Sequence, residues 1–493
     1  MRLSTFVMGA LAVGSHAVIQ AQTPKLPNII FLMDDQHRWD ALGIVDRQVK
    51  TPNLDRLARQ GVLFNQAVCQ APMSVASRNS LMLGLYPNQI GTLRNEPGLP
   101  DEKLPSRPLV EVIRDAGYET AGFGKAHWGI TVGTRGFETR YEAECRENGA
   151  IMADVDPEKY KRYNEEIADF GPGEENNLGY IGCTSQLQEN EHRDGWLTEK
   201  CLEYLESRDD ERPLFLYLSF YKPHAGHNVP EKFERMYSLE KTRYAEQPDW
   251  DRDDSPHAEQ VNRRDMYIDF WKNATDTQWK QMTLRYRANC TWLDDMFGRV
   301  LDELKKKGLL DNALIIYLSD HGEMLGERYY RFNKYCLYES SVRVPIIFSG
   351  SALPDDMKRT VDSRPVELVD IYTTLMHFVG EQVPNELPGL DLLSDETRPA
   401  NFCALHERPT EAAFMWRTPE YKLILCMKRK ADASAYTESD IIDGEFYDLQ
   451  QDPQEWNNKY HDKSYETTIA RMKQELLAHL KTLKRMPPKY VQY

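Results

Sequence analysis

The sequence predicts an α/β fold: a mostly parallel central sheet with helices on both faces, followed by a smaller C-terminal α+β subdomain with an antiparallel sheet. Three observations carry this. Short apolar runs stop at polar residues and alternate with amphipathic segments, those segments close in glycine, and the texture changes after about residue 395. Strands alternating with helices imply parallel pairing, because a parallel connection is long enough to hold a helix.

In chain order, the run NIIFLM (28–33) stops at Asp34 and Asp35, and TPNLDRLARQG (51–61) reads as a helix. A second helix over PLVEVIRDAG (108–117) leads into ETAGFG (119–124), which stops at Lys125. PLFLYLSF (213–220) runs into Tyr221, Lys222, Pro223 and His224. A helix over TWLDDMFGRVLDELKKKG (291–308) precedes ALIIYLS (313–319), which ends at Asp320 and His321. A glycine closes each helix. In such sheets ligands bind beyond the carboxyl ends of the strands, where these polar residues fall. Residues 138–195 and about 225–285 are polar, acidic and aromatic, and are expected to be insertions over that face. Beyond 395, NFCALHE, AAFMWRT, YKLILCM and EFYDL read as antiparallel strands and ETTIARMKQELLAHLKTLK as one amphipathic helix. The expected division is a signal peptide over 1–21, a main domain over 22–394 and a C-terminal subdomain over 395–493.

The signal peptide rests on Arg2, the apolar stretch LSTFVMGALAVG and a cleavage site after Ala21. It places the mature protein in the periplasm or outside the cell, and no later run is long enough to span a bilayer. The 493 residues are 41% apolar and 28% charged, ample for a large core. A net charge of −16 argues against nucleic acid or an anionic membrane as partner. It does not exclude an anionic substrate held by a local cluster of cations. The eight cysteines are scattered without a CxxC pair, so they define no disulfide framework.

Asp34 and Asp35 at one strand end and Asp320 at another make a hard-oxygen set suited to Ca²⁺ or Mg²⁺. Alone, an Asp-Asp pair is equally a helix cap or a solvated turn. Lys125 and His127 in GFGKAHWG, His224 after YKP, and Lys334 in RFNKYCLYESSVRVP are further candidates. Each alone reads as well as a surface lysine or a packed histidine. Together they describe an anion held by a dication, lysines and histidines, with a histidine able to move a proton.

At these residues the chain resembles the formylglycine-dependent sulfatases of the alkaline-phosphatase-like superfamily. The likeness runs from PNIIFLMDDQ through TPNLDRLARQGVLFNQA, SVASRNSLMLGLYP, LVEVIRDAGYETAGFGKAHWG, LIIYLSDHGEMLGE and YESSVRVPIIFSG to FYDLQQDPQEWNN. The family's modification motif is Cys or Ser, any residue, Pro or Ala, any residue, Arg. Ser74 to Arg78 fits its serine form, whereas Cys69 has Met73, and Ser77 has Leu81, where arginine would stand.

The resemblance implies that Ser74 is oxidised to formylglycine (3-oxoalanine), whose hydrated diol attacks with one hydroxyl and expels sulfate through the other. It implies Ca²⁺ held by Asp34, Asp35, Asp320, His321 and the modified Ser74. His321 stands where many relatives have Asn. Arg78 and Lys125 would hold the diol, His127 would act as base, and Lys334 and His224 would bind sulfate and the bridging oxygen, one of them protonating the leaving alcohol. QHRWDALG after Asp35 and the long inserts are similar to bacterial carbohydrate sulfatases. The implied partners are a sulfated carbohydrate, foremost a glycosaminoglycan oligosaccharide cut by exo-action, and a formylglycine-generating maturase. His227, Arg263, Arg264, Trp271, Arg94 and His406 are candidate sugar or carboxylate contacts. A phosphodiesterase or phosphonate monoester hydrolase of the same superfamily, or a catalytically silent glycan-binding homologue, are the competing readings.

Overall fold

The computed structural model describes residues 26–95, 98–128, 134–143, 179–257, 265–406 and 408–489. The expected signal peptide, Cys145, Arg263 and Arg264 lie outside them. Eight strands build the central sheet: β1 (Asn28–Asp35), β2 (Val62–Phe64), β3 (Glu119–Gly124), β4 (Thr139–Tyr141), β5 (Leu214–Pro223), β6 (Ala313–Ser319), β7 (Ile346–Ser349) and β8 (Thr360–Asp362). Their order across the sheet is β8-β2-β7-β6-β1-β5-β3-β4. β1 lies between β5 and β6, parallel to both, and β3 is parallel to β5 and β4. β7 runs antiparallel to its neighbours β6 and β2, and β8 is parallel to β2.

Six helices cover the sheet: α1 (Pro52–Gln60), α2 (Ser74–Leu83), α3 (Leu109–Asp115), α4 (Arg193–Ser207), α5 (Asp276–Lys306) and α6 (Asp370–Phe378). Successive side chains of β1 point to opposite faces, and both faces are dry. Ile29, Phe31 and Met33 pack with α2, α3 and α6, while Ile30 and Leu32 pack with α1, α4 and α5. The helix expected over 291–308 instead begins at Asp276, inside a stretch read as an insertion. Thr275 caps it by accepting from Gln278 N, and Trp279, Met282, Tyr286 and Cys290 form a buried stripe at helical spacing.

The C-terminal sheet consists of β9 (Asn401–Leu405), β10 (Glu411–Arg417), β11 (Tyr421–Lys428) and β12 (Ile441–Asp448), antiparallel in sequence order. Its outer face, with Phe402, Phe414, Leu423 and Leu425, is covered by Ile469, Met472, Leu476 and Leu480 of α7 (Glu466–Thr482). Its inner face, with Cys403, Met415, Ile424 and Tyr447, belongs to the main core. The sheet is thus a wall of that core. Among the described residues no helix is long and apolar enough to cross a membrane, and seven cysteines are free.

Candidate active site

The carboxyl ends of β1, β3, β5 and β6 converge on the N-terminus of α2. Ser74 is the first residue of that helix, and all ten of the helix's residues are buried. Met73 provides no side-chain cap, and although Val75 N donates to Asn95 Oδ1 at 3.1 Å, the helix dipole favours negative charge there. Arg78 lies one turn along, on the same side as Ser74. Its Nε donates to Asp320 Oδ2 at 2.8 Å, its Nη1 to the Lys125 carbonyl at 2.8 Å and Ser219 Oγ at 2.9 Å, and its Nη2 to Asp35 Oδ2 at 3.2 Å. One guanidinium therefore ties four strand ends together. Gly124 permits this closeness: it adopts φ +95°, and a Cβ on it would meet the Ser219 carbonyl oxygen at 1.9 Å.

Ser74 Oγ lies 3.0 Å from His321 Nε2 and 3.4 Å from Asp35 Oδ2, and accepts a 3.3 Å bond from Lys334 Nζ. Lys125 Nζ is 2.6 Å from the same Asp35 oxygen. Burial favours the neutral acid at Asp35, but Lys125, Lys334, His224 and Arg78 overcome it and hold the carboxyl well below its usual range. Asp320 moves the other way, because burial outweighs Arg78. Asp35, Asp320 and His321 bring ligand atoms within 4.8 Å of one another. Asp35 Oδ1 and Asp34 Oδ1 are buried without a hydrogen-bond partner. Asp34 Oδ2 lies 2.7 Å from His37 Nδ1 and accepts from the Tyr317 hydroxyl at 2.8 Å. Burial and the nearby Lys334 keep His321 neutral. Its Nδ1 lies 3.1 Å from the Gly322 carbonyl, which fixes the proton there and leaves the Nε2 lone pair toward Ser74. The carboxylate oxygens buried without partners suit a hard divalent cation such as Ca²⁺, while the His321 imidazole is the one donor that departs from an all-oxygen site.

The rim contains the remaining predicted residues. His127 is half-buried in the left-handed region at φ 54°, and burial with Lys125 and Arg78 lowers its pKa to about 2. Its Nδ1 has no partner. His224 Nδ1 lies 2.9 Å from the Ala225 carbonyl, and burial with Lys334 lowers its pKa to about 3. Burial lowers the Lys334 ammonium to about 8, so it still carries its proton at neutral pH.

Two residues that sequence reasoning passed over complete the cluster. Gln36, at φ 65°, donates its amide N–H to Asp320 Oδ1 and accepts from Lys334 Nζ at 2.9 Å. Glu323 takes the Gln36 side-chain amide and accepts from Tyr180, Leu325 N and Asn333 N. A glutamine directly after the Asp-Asp pair was the available signal.

The sulfatase family model matches residues 27–381, and the model for the C-terminal region of N-sulphoglucosamine sulphohydrolase matches residues 326–482. The chain belongs to the sulfatase family. This sulfatase is 27% identical to an arylsulfatase of Clostridium perfringens, over 92% of this chain and 94% of that one. It is 26% identical to an N-acetylglucosamine-6-O-sulfatase of Bacteroides thetaiotaomicron, over 95% of this chain and 88% of the relative. Among solved structures it resembles a phosphonate monoester hydrolase from Silicibacter pomeroyi, with a TM-score of 0.73 at 21% identity, covering 92% of this chain and 95% of that one. It also resembles a protein solved with its substrate D-glucosamine-2-N,6-O-disulfate, with a TM-score of 0.68 at 21% identity, covering 93% and 98%. These two likenesses establish the fold.

Two suspected sugar contacts prove to be internal. Trp271 is 0% exposed and packs at 4.5 Å from Phe332 and 4.6 Å from Trp279, ring centre to ring centre. It fills the core beneath this face and offers no surface to a sugar. His227 is also fully buried, with Nδ1 2.7 Å from the Tyr180 carbonyl.

Proposed function

We propose that this sulfatase hydrolyses sulfate esters of a sulfated carbohydrate, foremost a glycosaminoglycan oligosaccharide attacked from its end, using formylglycine at position 74. The observation that carries the reading is the meeting of Ser74 Oγ with Asp35, His321 and Lys334 at a helix N-terminus, with Arg78 one turn behind. The sugar class is supported by the relatives named for carbohydrate sulfates. Export through residues 1–21 and maturation by a formylglycine-generating enzyme belong to the same proposal, as does the division at residue 395.

Ser74 Oγ stands in for one hydroxyl of the hydrated formylglycine. Asp34, Asp35, Asp320 and His321 would hold Ca²⁺, which when bound supplies Lewis acidity toward a sulfate oxygen and toward the diol. Arg78 and Lys125 fix the carboxylates around position 74. Lys334, protonated and 3.3 Å from Ser74 Oγ, faces the place where a sulfate oxygen would sit. His127, held neutral with a partnerless Nδ1, would act as base only after the charge of bound substrate raises its lowered pKa. His224, with its Nδ1 proton turned to Ala225, leaves Nε2 for the bridging oxygen and donates a proton only after the charge of bound sulfate raises its pKa.

Mass spectrometry of the tryptic peptide 60–78 from active native protein tests the nucleophile. Loss of two hydrogens at Ser74 is expected; unmodified serine in active protein overturns the mechanism. Sulfate release from a panel of defined sulfated mono- and disaccharides tests the substrate class. The phosphoryl-transfer reading draws on a 25% identical relative from Trinickia caryophylli named as a multifunctional alkaline phosphatase superfamily protein. It requires faster turnover of an aryl phosphonate than of an aryl sulfate by the same preparation.

A further inference from the structure

Residues 325–335 lead to Lys334 along a strained backbone. Leu325, Arg328, Tyr329, Tyr330, Asn333 and Tyr335 all lie in the left-handed region, at φ between 49° and 71°. Residues with a Cβ adopt that region singly, whereas Arg328 to Tyr330 adopt it three in succession. Such conformers persist only where the surroundings hold them, and they gather where a fold must place a functional group. The segment closes on itself, with Met324 N donating to the Asn333 carbonyl at 3.0 Å, and Lys334 is the next residue. Its Nζ donates to Gln36 Oε1 at 2.9 Å and to Ser74 Oγ at 3.3 Å.

The strained path is held by residues 247–257, part of the stretch expected to be an insertion over this face. Gln247 Nε2 donates to the Gly326 carbonyl at 2.7 Å, and its Oε1 accepts from Tyr330 N at 3.0 Å. The Tyr329 hydroxyl donates to the Asp251 carbonyl, and Arg328 Nη2 donates to Ser255 Oγ at 2.6 Å. Asp253 Oδ2 accepts from Arg331 Nη2 at 2.8 Å and Nε at 3.2 Å, and lies 3.7 Å from Arg328 Nε. Past the far end, His257 Nε2 accepts from Leu337 N at 3.1 Å. One stretch thus grips each of the three consecutive left-handed residues. Asp253 is buried, which favours the neutral acid, but Arg331 and Arg328 hold its pKa at about 2, so the pairing lasts through the neutral range.

We propose that residues 247–257 are a clamp in which Gln247 and Asp253 act as positioning residues: by holding residues 325–335 in their left-handed path, they deliver Lys334 to position 74. This rests on the sulfatase reading and gives the insertion a task in the reaction that needs no contact with substrate. Without the clamp the segment relaxes toward ordinary backbone conformations, and Lys334 withdraws from the anion it faces.

The test compares wild type with Q247A and D253N, each alone and combined with K334A, on an aryl sulfate. Each clamp variant is expected to lower kcat/KM about 10- to 100-fold, D253N the more. In the K334A background, where the lysine is already gone, either should change kcat/KM by less than about twofold. A role confined to folding would lower both backgrounds equally, and that result overturns the proposal. Acetylation of the intact protein by an N-hydroxysuccinimide ester follows the lysine without turnover. It is read as the tryptic peptide 332–343, left uncut at Lys334. Lys334 is 3% exposed and should be acetylated about tenfold faster in Q247A and D253N, while Lys422, 0% exposed in the C-terminal sheet, stays protected. Unchanged protection of Lys334 in Q247A overturns the clamp. If D253N exposes Lys422 as well it has unfolded, and Q247A decides; if K334A has no measurable rate, the labelling decides. Wild type that releases no sulfate defeats the sulfatase reading, while the labelling still shows whether the clamp holds Lys334.

Discussion

Lys125 Nζ and Asp35 Oδ2 form a 2.6 Å ion pair whose side chains are 9% and 0% exposed. The same carboxylate oxygen accepts from Arg78 and Ser74. Removing Lys125 leaves a buried carboxylate without its nearest cation and takes a charge away from position 74. K125M is expected to lower kcat about 10²- to 10³-fold, measured with an aryl sulfate. Loss of less than about threefold would show that Lys125 balances charge without serving the reaction.

The partnerless oxygens of Asp34 and Asp35 predict that a divalent cation stabilises the fold as well as the chemistry. Adding Ca²⁺ to chelator-treated protein at about 100 times its Kd should stabilise it by ~2.7 kcal/mol, visible as a rise in Tm. D320A should lose both the rise and the activity. An equal Ca²⁺ response in D320A would remove Asp320 from the ligand set.

Glu323 holds Gln36 and, through Asn333 N at 2.6 Å, the residue preceding Lys334. E323A frees both supports of the lysine and strands buried donors, each costing ~1–3 kcal/mol. A fall of about tenfold or more in kcat/KM with a lower Tm is expected, and E323Q should recover part of both. Full activity in E323A would separate the lysine from this scaffold.

A carboxyl remote from the site provides a pH prediction. Asp294 of α5 accepts from Leu54 N at 2.7 Å and Asn53 N at 3.0 Å, holding α1 against α5. Burial raises its pKa to about 6, and the hydrogen bonds from Leu54 and Asn53 only partly offset this. A raised folded-state pKa contributes stability below the unfolded value of 3.8, and that contribution is lost as pH rises through about 6. D294N loses an acceptor and starts less stable, but lacks this dependence. The Tm gap between wild type and D294N should therefore narrow from about pH 4 to about pH 6. A constant gap would mean that Asp294 stays ionised.

The strand ends were legible because each apolar run halts at a charge, and a strand buried on both faces leaves no other place for one. Ser74 and Arg78 were legible because four residues make roughly one helical turn. Gln36 and Glu323 escaped notice because an amide and a carboxylate next to motif residues look like ordinary turn polarity. Only the fold, by bringing residues nearly 290 apart in sequence into contact, reveals their role. Trp271 misled for the opposite reason. An aromatic residue in an acidic stretch suggests an exposed platform, whereas tertiary packing closes Trp279 and Phe332 around it. The start of α5 was obscured by the same mixture of polar and aromatic residues.

On the proposed formylglycine mechanism, the burial of α2 fixes when position 74 can be converted. Ser74 is 1% exposed and its nine helix neighbours are all buried. Any modification of Ser74 needs that residue exposed, and the folded chain cannot expose it without dismantling the core. On the proposed mechanism, conversion of Ser74 therefore has to precede folding, and a molecule that folds unconverted would stay inert. On that mechanism the specific activity of a preparation would record how well conversion kept pace with synthesis, and no later treatment of the folded protein would raise it.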